Sequence, residues 1–316
     1  MYYIETLKDG DHVSGIYFCK NKQMLTGKSK KPYCSLTLQD KTGTLDAKIW
    51  DFTGGIEDFE NLDFIFVEGD ITTYNGNLQC ALRRVRVADE GEYVLKDYLP
   101  VSAKDNDQMY AELCAMIDSV REPHLQALLK NILVEDERVV KAFRRHSAAK
   151  SVHHSFIGGL LEHTVSVTKL CDFYSKLYPF LNRDLLLSAA MLHDIGKLWE
   201  ISDFPANDYT DDGQLLGHIV MGYELIGKRI QTIPDFPKKI ASELRHCILA
   251  HHGEYEFGSP KKPELVEAMA LHMADNTDAK IETFIEALDA QKANNDWLGF
   301  NRFLDANIRR TTPSQQ

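Results

Sequence analysis

The chain has 316 residues, of which 44% are hydrophobic and 26% charged, an ordinary composition for a globular protein with room for two domains. Its net charge of −11 excludes a protein that binds nucleic acid through overall positive charge, because such affinity comes from clustered Lys and Arg. The sequence shows neither a run of about 18 apolar residues nor a basic leader, so we expect a cytoplasmic protein without a membrane segment.

The cysteine pattern gives no sign of a disulfide framework or a thiolate metal site. No two cysteines form a Cys-x-x-Cys pair. Scattered single cysteines are typical of reduced thiols that act as small buried side chains. The six are Cys19, Cys34, Cys80, Cys114, Cys171 and Cys247.

Residues 11–88 read as short strands separated by turn signals. Strands are predicted at HVSGIYFCK, YCSLTLQD and TLDAKIWDF, and two longer ones lie within FIFVEGDITTYNGNLQCALRRVRV. Asn75-Gly76 predicts a tight turn between that last pair, and a helical or irregular insert is expected around residues 54–61. Strands of this number, size and order predict a five-stranded OB-fold β-barrel over residues 1–95.

Basic and aromatic residues of the barrel are candidates for binding nucleic acid. Rings on strands can stack unpaired bases while Lys and Arg contact phosphates. Each basic cluster could equally be a solvated surface, and strand alternation puts about half of such rings into the core. The candidates are Lys28, Lys30, Lys31, Arg83 and Arg84 among the basic residues, and Phe18, Tyr33, Trp50 and Tyr74 among the aromatic ones.

From Asp105 onward the apolar spacing is mainly three and four residues, which predicts helices. Ser102 and Asp105 have the spacing of a capping box, so the first helix is expected to begin there. No strand-like alternation returns, and the second part is therefore predicted to be all-α. We place a helical linker at 96–150, the all-α domain at 151–295, and a C-terminal helix and tail at 296–316.

Histidines are concentrated in the helical part, where most of them neighbour an Asp, a Gly or another His. Imidazole and carboxylate groups suit Mn, Fe, Co or Zn, and the lack of thiolates disfavours a structural zinc site. A single histidine on an apolar helix face is more often structural than a ligand, so the set matters more than any one member. The candidate ligands are His163, His193, Asp194, His218, His251, His252 and Asp275.

The pair His193-Asp194 is the most informative of these residues. It ends the apolar run LLLSAAML, so two polar side chains enter a region that the rest of the helix buries. Burial without partners is strongly unfavourable, and metal ligation removes that penalty. Gly196 keeps the surroundings open, and Lys197 follows about one helical turn after His193, where its charge can assist a phosphate.

The order of these residues resembles the HD-domain metal-dependent phosphohydrolases, whose signature is H…HD…D on an all-α scaffold. His163 matches the first histidine, and Asp275 matches the closing aspartate. His193 and Asp194 match the doublet within HDIGK. The extra histidines that binuclear members place between the doublet and the last aspartate correspond to His218, His251 and His252.

The resemblance extends over nearly the whole chain. LQDKTGTLDAKIWD is similar to the marker of tRNA-anticodon-binding OB-folds, and HHSFIGGLLEHT leads into the HD domain. Together these parts resemble the bacterial YhaM-type 3′-to-5′ exoribonucleases. The resemblance implies hydrolysis of single-stranded RNA from its 3′ end to nucleoside 5′-monophosphates, with single-stranded DNA as a further candidate substrate.

The resemblance also implies two divalent metal ions. One ion is expected to bind the four signature residues, His163, His193, Asp194 and Asp275. The second is expected to bind His218, either His251 or His252, and Asp194 as a bridge. Paired ions clamp the attacking and leaving oxygens of an in-line displacement at phosphorus. Mn²⁺ is favoured, with Co²⁺, Fe²⁺ and Zn²⁺ as alternatives.

Asp194, Lys197 and His154 are the candidate catalytic residues, with Lys197 and His154 expected to stabilise charge on the phosphate. Two other functions stay open: an HD-type phosphodiesterase for a cyclic or small nucleotide, and a nucleic-acid-binding protein whose HD domain is inactive. The barrel disfavours the first, and the complete set of expected ligands disfavours the second. A homo-oligomer is an open alternative to a monomer.

Overall fold

The computed structural model describes residues 2–27, 30–150, 154–291 and 294–312. The chain divides into two compact units, Met1–Val101 and Ser102–Gln316, a few residues after the boundary predicted at 95. The first unit is built mainly of strands and the second mainly of helices. None of the helices in the described ranges has the length and apolar run that a bilayer-spanning segment requires.

The strands of the first unit are β1 (His12–Thr26), β2 (Pro32–Asp40), β3 (Gly43–Ile49), β4 (Phe64–Tyr74) and β5 (Asn77–Val87). They close into a barrel in the order β1-β2-β3-β5-β4, with β4 pairing back to β1. The β3–β5 pair is parallel, whereas the other pairs are antiparallel. This strand order confirms the predicted OB-fold.

Alternating burial explains why these segments become barrel strands. Along β2, Cys34, Leu36 and Leu38 are buried, while the residues between them are partly exposed. Leu45 and Ala47 of β3 repeat the pattern. Because side chains alternate between the two faces of a strand, one face of each segment fills the barrel interior.

Two backbone features shape the β4–β5 hairpin. Asn75 and Gly76 have φ angles of +51° and +82° and form the predicted tight turn. Gly69 lies at an irregularity in the β4–β5 pairing, where a Cβ atom would meet the Ala81 carbonyl oxygen at 2.6 Å and the Cys80 Sγ at 2.9 Å. Only glycine therefore fits this position without a shift of the neighbouring strand.

The six cysteines are free thiols, as their spacing predicts. Cys114 is half-buried and the others are buried. Burial raises the pKa of the Cys19 and Cys80 thiols to about 12. Such thiols stay protonated and unreactive, so their role is packing.

The second unit consists of helices around one apolar core, followed by a short hairpin. The helices are α1 (Asn106–Asp118), α2 (Pro123–Lys130), α3 (Glu137–Phe143), α4 (Gly159–Leu177), α5 (Arg183–Leu192), α6 (Lys197–Glu200), α7 (Asp211–Ile230), α8 (Lys238–Ala250) and α9 (Val266–Ala290). Leu113 of α1 and Leu128 of α2 are fully buried in the same core as Leu186 of α5 and Ile248 of α8. The helices of the predicted linker thus pack as part of the domain that follows them.

Two local predictions are wrong. The hairpin strands β6 (Trp297–Asn301) and β7 (Ala306–Arg309) replace the expected C-terminal helix. The reason is a turn, in which the Asn301 side chain accepts hydrogen bonds from the backbone N–H groups of Phe303 and Leu304.

The first helix also begins later than the capping box indicates. Asp105, rather than Ser102, caps α1, since its Oδ1 accepts from the Gln108 N–H at 2.8 Å. The Ser102 hydroxyl donates instead to the buried carboxylate of Glu162. The competing acceptor on another helix therefore removes Ser102 from the cap.

We expect Gly69→Ala to destabilise the barrel, because the added methyl group would overlap the Ala81 carbonyl. A loss of about 1–3 kcal/mol is typical of such overpacking. Hydrogen–deuterium exchange of the β4 and β5 amides would measure it locally. Gly43→Ala is the matched control, since its nearest neighbour would be Ile4 Cγ2 at 3.8 Å. Equal exchange in the two variants would contradict the prediction.

Candidate metal centre

Several helices bring the candidate ligands of the second unit to one buried place. The contributing positions are His163 on α4, His193 and Asp194 just after α5, His218 within α7, His251 and His252 just after α8, and Asp275 on α9. The key element is α5, in which residues 185–192 are all buried. The polar pair that follows this helix therefore emerges in the interior, where Asp194 is only 3% exposed.

Asp194 lies between two groups of imidazoles. Its Oδ2 is 3.4 Å from His163 Nε2 and 3.3 Å from His193 Nε2. Its Oδ1 is 3.5 Å from His218 Nε2 and 3.8 Å from His251 Nε2. The two oxygens of one carboxylate thus face different histidines, which is the arrangement a bridging ligand requires.

The remaining ligands complete the two halves of the centre. Asp275 Oδ1 lies 3.2 Å from His163 Nε2 and 3.9 Å from His193 Nε2. We call this set, His163, His193 and Asp275, the Asp275 half. The ligand atoms of His218, His251 and His252 lie within 4.8 Å of one another, and we call this set the His252 half. The sequence left open whether His251 or His252 is the ligand, and the structure places both there.

Each of the five histidines of the two halves is oriented by an oxygen next to its Nδ1. The acceptors are Asp278 Oδ2 for His163 at 2.7 Å, Ala190 O for His193 at 2.7 Å, Glu200 Oε1 for His218 at 2.8 Å, Ile248 O for His251 at 2.7 Å, and Phe257 O for His252 at 2.8 Å. An oxygen acceptor dictates that Nδ1 carries the proton. In the neutral ring, the lone pair on each Nε2 is therefore left for the centre.

Two buried nitrogen atoms show that the site fits a divalent cation. His218 Nε2 and His251 Nε2 have no hydrogen-bond partner among the described residues. A buried polar atom without a partner is costly. Imidazole nitrogen and carboxylate oxygen are the donors that Mn²⁺, Fe²⁺, Co²⁺ and Zn²⁺ accept, so such an ion would satisfy both atoms.

Electrostatics keep His251 and Asp194 in the form that binds metal. Burial and the neighbouring imidazoles lower the pKa of His251 well below its ordinary value, so the ring is neutral. Burial alone would raise the pKa of Asp194, but Lys197 and His193 outweigh it and hold that pKa well below its usual range. Metal ligation requires these deprotonated groups.

Glycines set the position of His218. At Gly217, with φ +74°, α7 breaks, and the freed His218 backbone N–H donates to Glu200 Oε1 at 2.9 Å. A Cβ atom on Gly196 would lie 1.9 Å from the His218 carbonyl oxygen. The backbone after Asp194 therefore touches the backbone of α7, which fixes His218 relative to Asp194.

A third group with ligand-like spacing, His154, His163 and Asp278, is better explained by hydrogen bonds. Asp278 Oδ2 lies 2.9 Å from His154 Nε2 and 2.7 Å from His163 Nδ1. A metal ion there would need His163 to lose its Nδ1 proton while its Nε2 serves the Asp275 half. A fully deprotonated ring with a metal ion on each nitrogen is unfavourable compared with a neutral ring whose Nδ1–H donates to a carboxylate.

The predicted roles of Lys197 and His154 in contacting phosphate stay predictions. Lys197 Nζ donates to Asp194 Oδ2 at 2.7 Å. His154 is buried, with its Nε2 on Asp278. His272 donates from Nδ1 to the His251 carbonyl at 2.9 Å.

Sequence reasoning missed Glu200 and Asp278. Both are buried carboxylates that accept a hydrogen bond from a histidine of the centre. A signal existed, because Asp278 follows Asp275 by three residues on α9 and so shares its face. An acidic residue one turn from a ligand on a buried face is a candidate support for the same centre.

The barrel aromatics divide into exposed and buried rings. Tyr33 stacks on Trp50 with 4.6 Å between ring centroids, and Trp50 is 57% exposed. Tyr74 is 63% exposed beside the β4–β5 turn. Phe18 is the wrong candidate, since it is buried and packs on Phe64. Its neighbours Tyr17 and Cys19 fill the barrel core, so alternation along β1 puts Phe18 on the outer face, where Phe64 covers it.

The barrel cations are only partly available. Arg83 pairs with Asp70, and Arg84 Nη1 lies 3.9 Å from Glu68 Oε1. Lys30 and Lys31 are exposed, and the candidate Lys28 lies outside the described residues. Phosphate contact by these residues stays a prediction.

Comparison with known proteins agrees with the geometry. Residues 160–280 match the family described as HD domain. The 3′-5′ exoribonuclease YhaM of Geobacillus sp. (strain WCH70) is 36% identical over 285 residues, which cover 90% of this chain and 87% of that protein.

Two solved structures match a smaller part of the chain. The second OB-fold domain of replication protein A from Methanococcus maripaludis is 17% identical and covers 28% of this chain and 96% of its own, with a TM-score of 0.24. The mitochondrial single-stranded DNA binding protein Rim1 from S. cerevisiae is 12% identical and covers 27% of this chain and 100% of its own, with a TM-score of 0.21. These scores are too low to support an argument, so the identification of the barrel rests on its strand order.

We expect Asp194→Asn to remove most of the bound metal, because the variant keeps the shape of the bridge but loses its charge. Mass spectrometry of protein dialysed against Mn²⁺ would measure the metal content. Asp172→Asn is the control, since Asp172 pairs with Lys176 and Arg183 instead of a histidine of the centre. Full metal content in a folded Asp194→Asn protein would show that Asp194 is not a ligand.

Proposed function

The chain belongs to the YhaM family of metal-dependent 3′-to-5′ exoribonucleases, and we propose that it removes nucleotides one at a time from the 3′ end of single-stranded RNA and releases nucleoside 5′-monophosphates. The observation that carries the proposal is the bridging position of Asp194. Its two oxygens face the imidazoles of separate halves at 3.3 to 3.8 Å. Two-ion centres of this kind serve phosphodiester hydrolysis.

The residues of the centre prepare it for a charged substrate. The two aspartates and five histidines would hold ions whose chemistry is to polarise a phosphodiester and to lower the pKa of water toward neutrality. Burial opposes the charge of Lys197, but Asp194 and Asp275 outweigh it and raise its pKa, so the ammonium stays charged. Lys197 thereby holds Asp194 ionised and brings a positive charge to where the phosphate would bind.

Mn²⁺ is the ion we favour, with Co²⁺, Fe²⁺ and Zn²⁺ as alternatives. Two aspartates and five histidines surround the site, and no cysteine is among them. Mn²⁺ accepts a mixed set of carboxylate and imidazole ligands, whereas thiolates would favour Zn²⁺.

The barrel is proposed to hold the RNA strand. Trp50 and Tyr74 are exposed rings on one small unit, and stacking on such rings tolerates any base. The acidic net charge implies that this binding is modest and sensitive to salt.

A labelled-RNA assay tests the proposal. Full-length protein with Mn²⁺ should shorten a 5′-labelled single-stranded RNA from its 3′ end and release mononucleotides. Chelator and Asp194→Ala should each abolish the ladder, because both remove the metal. Intact RNA together with hydrolysis of a cyclic nucleotide would contradict the proposed substrate but leave the metal chemistry in place.

We expect Trp50→Ala combined with Tyr74→Ala to raise the KM for RNA by about 10-fold or more, since each stacked base contributes about 1–3 kcal/mol. Hydrolysis of a small phosphodiester such as bis-p-nitrophenyl phosphate should not change, because it needs only the metal centre. Phe173→Ala, which removes an exposed ring of the helical unit, is the control. An equal loss on both substrates would argue against an RNA-holding role for the barrel.

A further inference from the structure

In each half of the centre, one histidine is oriented by a buried carboxylate instead of a backbone carbonyl. His163 of the Asp275 half donates to Asp278, and His218 of the His252 half donates to Glu200. A carboxylate acceptor carries a full negative charge, so it makes the ring a stronger base than a carbonyl does. These two contacts are therefore the ones most able to tune metal binding.

Asp278 is held from three sides. Oδ2 lies 2.7 Å from His163 Nδ1 and 2.9 Å from His154 Nε2, and Oδ1 accepts from the Ser166 hydroxyl. The residue is 6% exposed, so water has little access to it. With both oxygens engaged, the carboxylate cannot rotate away from His163.

Within the described ranges, the Glu200 carboxylate is held by His218 through two contacts. Its Oε1 accepts from the His218 backbone N–H at 2.9 Å and from His218 Nδ1 at 2.8 Å. One oxygen thus caps the second half of α7 at the Gly217 break and also orients the ring. The residue is 8% exposed.

We propose that Asp278 and Glu200 are positioning residues that set the metal affinity of the two halves separately. The proposal rests on the two-ion centre of the proposed function and adds that each ion has its own supporting carboxylate. Among the described residues, Asp278 makes no hydrogen bond to the His252 half, and Glu200 makes none to the Asp275 half.

His154 belongs to the Asp278 support. Its backbone has φ +62°, which is unfavourable for a residue with a Cβ atom. The strained position is maintained by the Ala148 N–H, which donates to the His154 carbonyl at 3.0 Å, and by Gly159, where a Cβ would lie 2.0 Å from that oxygen. The conformation brings the ring to Asp278, and the hydrogen bond from His154 Nε2 to Asp278 Oδ2 offsets the strain. His154 therefore acts on the metal through Asp278.

The test is a Mn²⁺ titration of the full chain by equilibrium dialysis with metal analysis. We expect two ions per chain in the wild type. Asp278→Asn and Glu200→Gln should each weaken one ion by about 10- to 100-fold and leave the other unchanged. The double variant should weaken both, whereas His154→Asn should weaken the same ion as Asp278→Asn, so that combining those two adds little.

Glu267→Gln is the matched control. Glu267 lies on α9 like Asp278, is 8% exposed, and accepts from the Asn182 backbone N–H at 2.7 Å without touching a histidine. It should bind both ions as the wild type does. If it and Asp278→Asn lost metal equally, the effect would come from destabilised packing and the proposal would fall.

Other outcomes are equally decisive. If the double variant still held one ion at wild-type affinity, both carboxylates would support the same ion and the proposal would be wrong. The same holds if the wild type bound a single ion. If the wild type degraded RNA normally and the variants bound both ions as tightly as the wild type, only the proposal on Asp278 and Glu200 would be overturned. Two separately tuned ions in a protein that leaves RNA intact would overturn only the proposed substrate.

Discussion

The helical unit depends on a buried carboxylate that two groups of imidazoles share. Taking Asp194 out of water is expensive unless positive charge or metal surrounds it. Lys197 at 2.7 Å and the nearby histidines supply that compensation. Much of the local structure serves this placement: residues 185–192 of α5 are buried, and Gly196 lets the following turn touch α7.

Orientation is the second requirement, and hydrogen bonds to Nδ1 meet it. Backbone carbonyls at or near helix ends hold His193, His251 and His252, while buried carboxylates hold the other two rings. Each Nε2 therefore faces the centre before any ion arrives. Such preparation lowers the reorganisation that metal binding would otherwise demand.

The two units differ in how charge contributes to them. The chain is acidic overall, and two barrel arginines already face carboxylates, so bulk attraction to RNA is weak. Exposed rings such as Trp50 offer contacts that do not depend on net charge. Strong charge is concentrated instead at the metal centre, where burial makes it effective.

The sequence by itself determined the five barrel strands, the Asn75-Gly76 turn and the histidines and aspartates that meet in one buried place, because period, turn chemistry and costly buried polar residues are local signals. It could not determine the support of the ligands. His163 and Asp278 are 115 residues apart, and only the packing of α4 against α9 brings them together. It also misplaced the α1 cap and the C-terminal hairpin. The hairpin turn rests on local hydrogen bonds to the Asn301 side chain. At the α1 cap, in contrast, the tertiary structure decided, because the packed α4 offers the Glu162 carboxylate to the Ser102 hydroxyl and leaves the cap to Asp105.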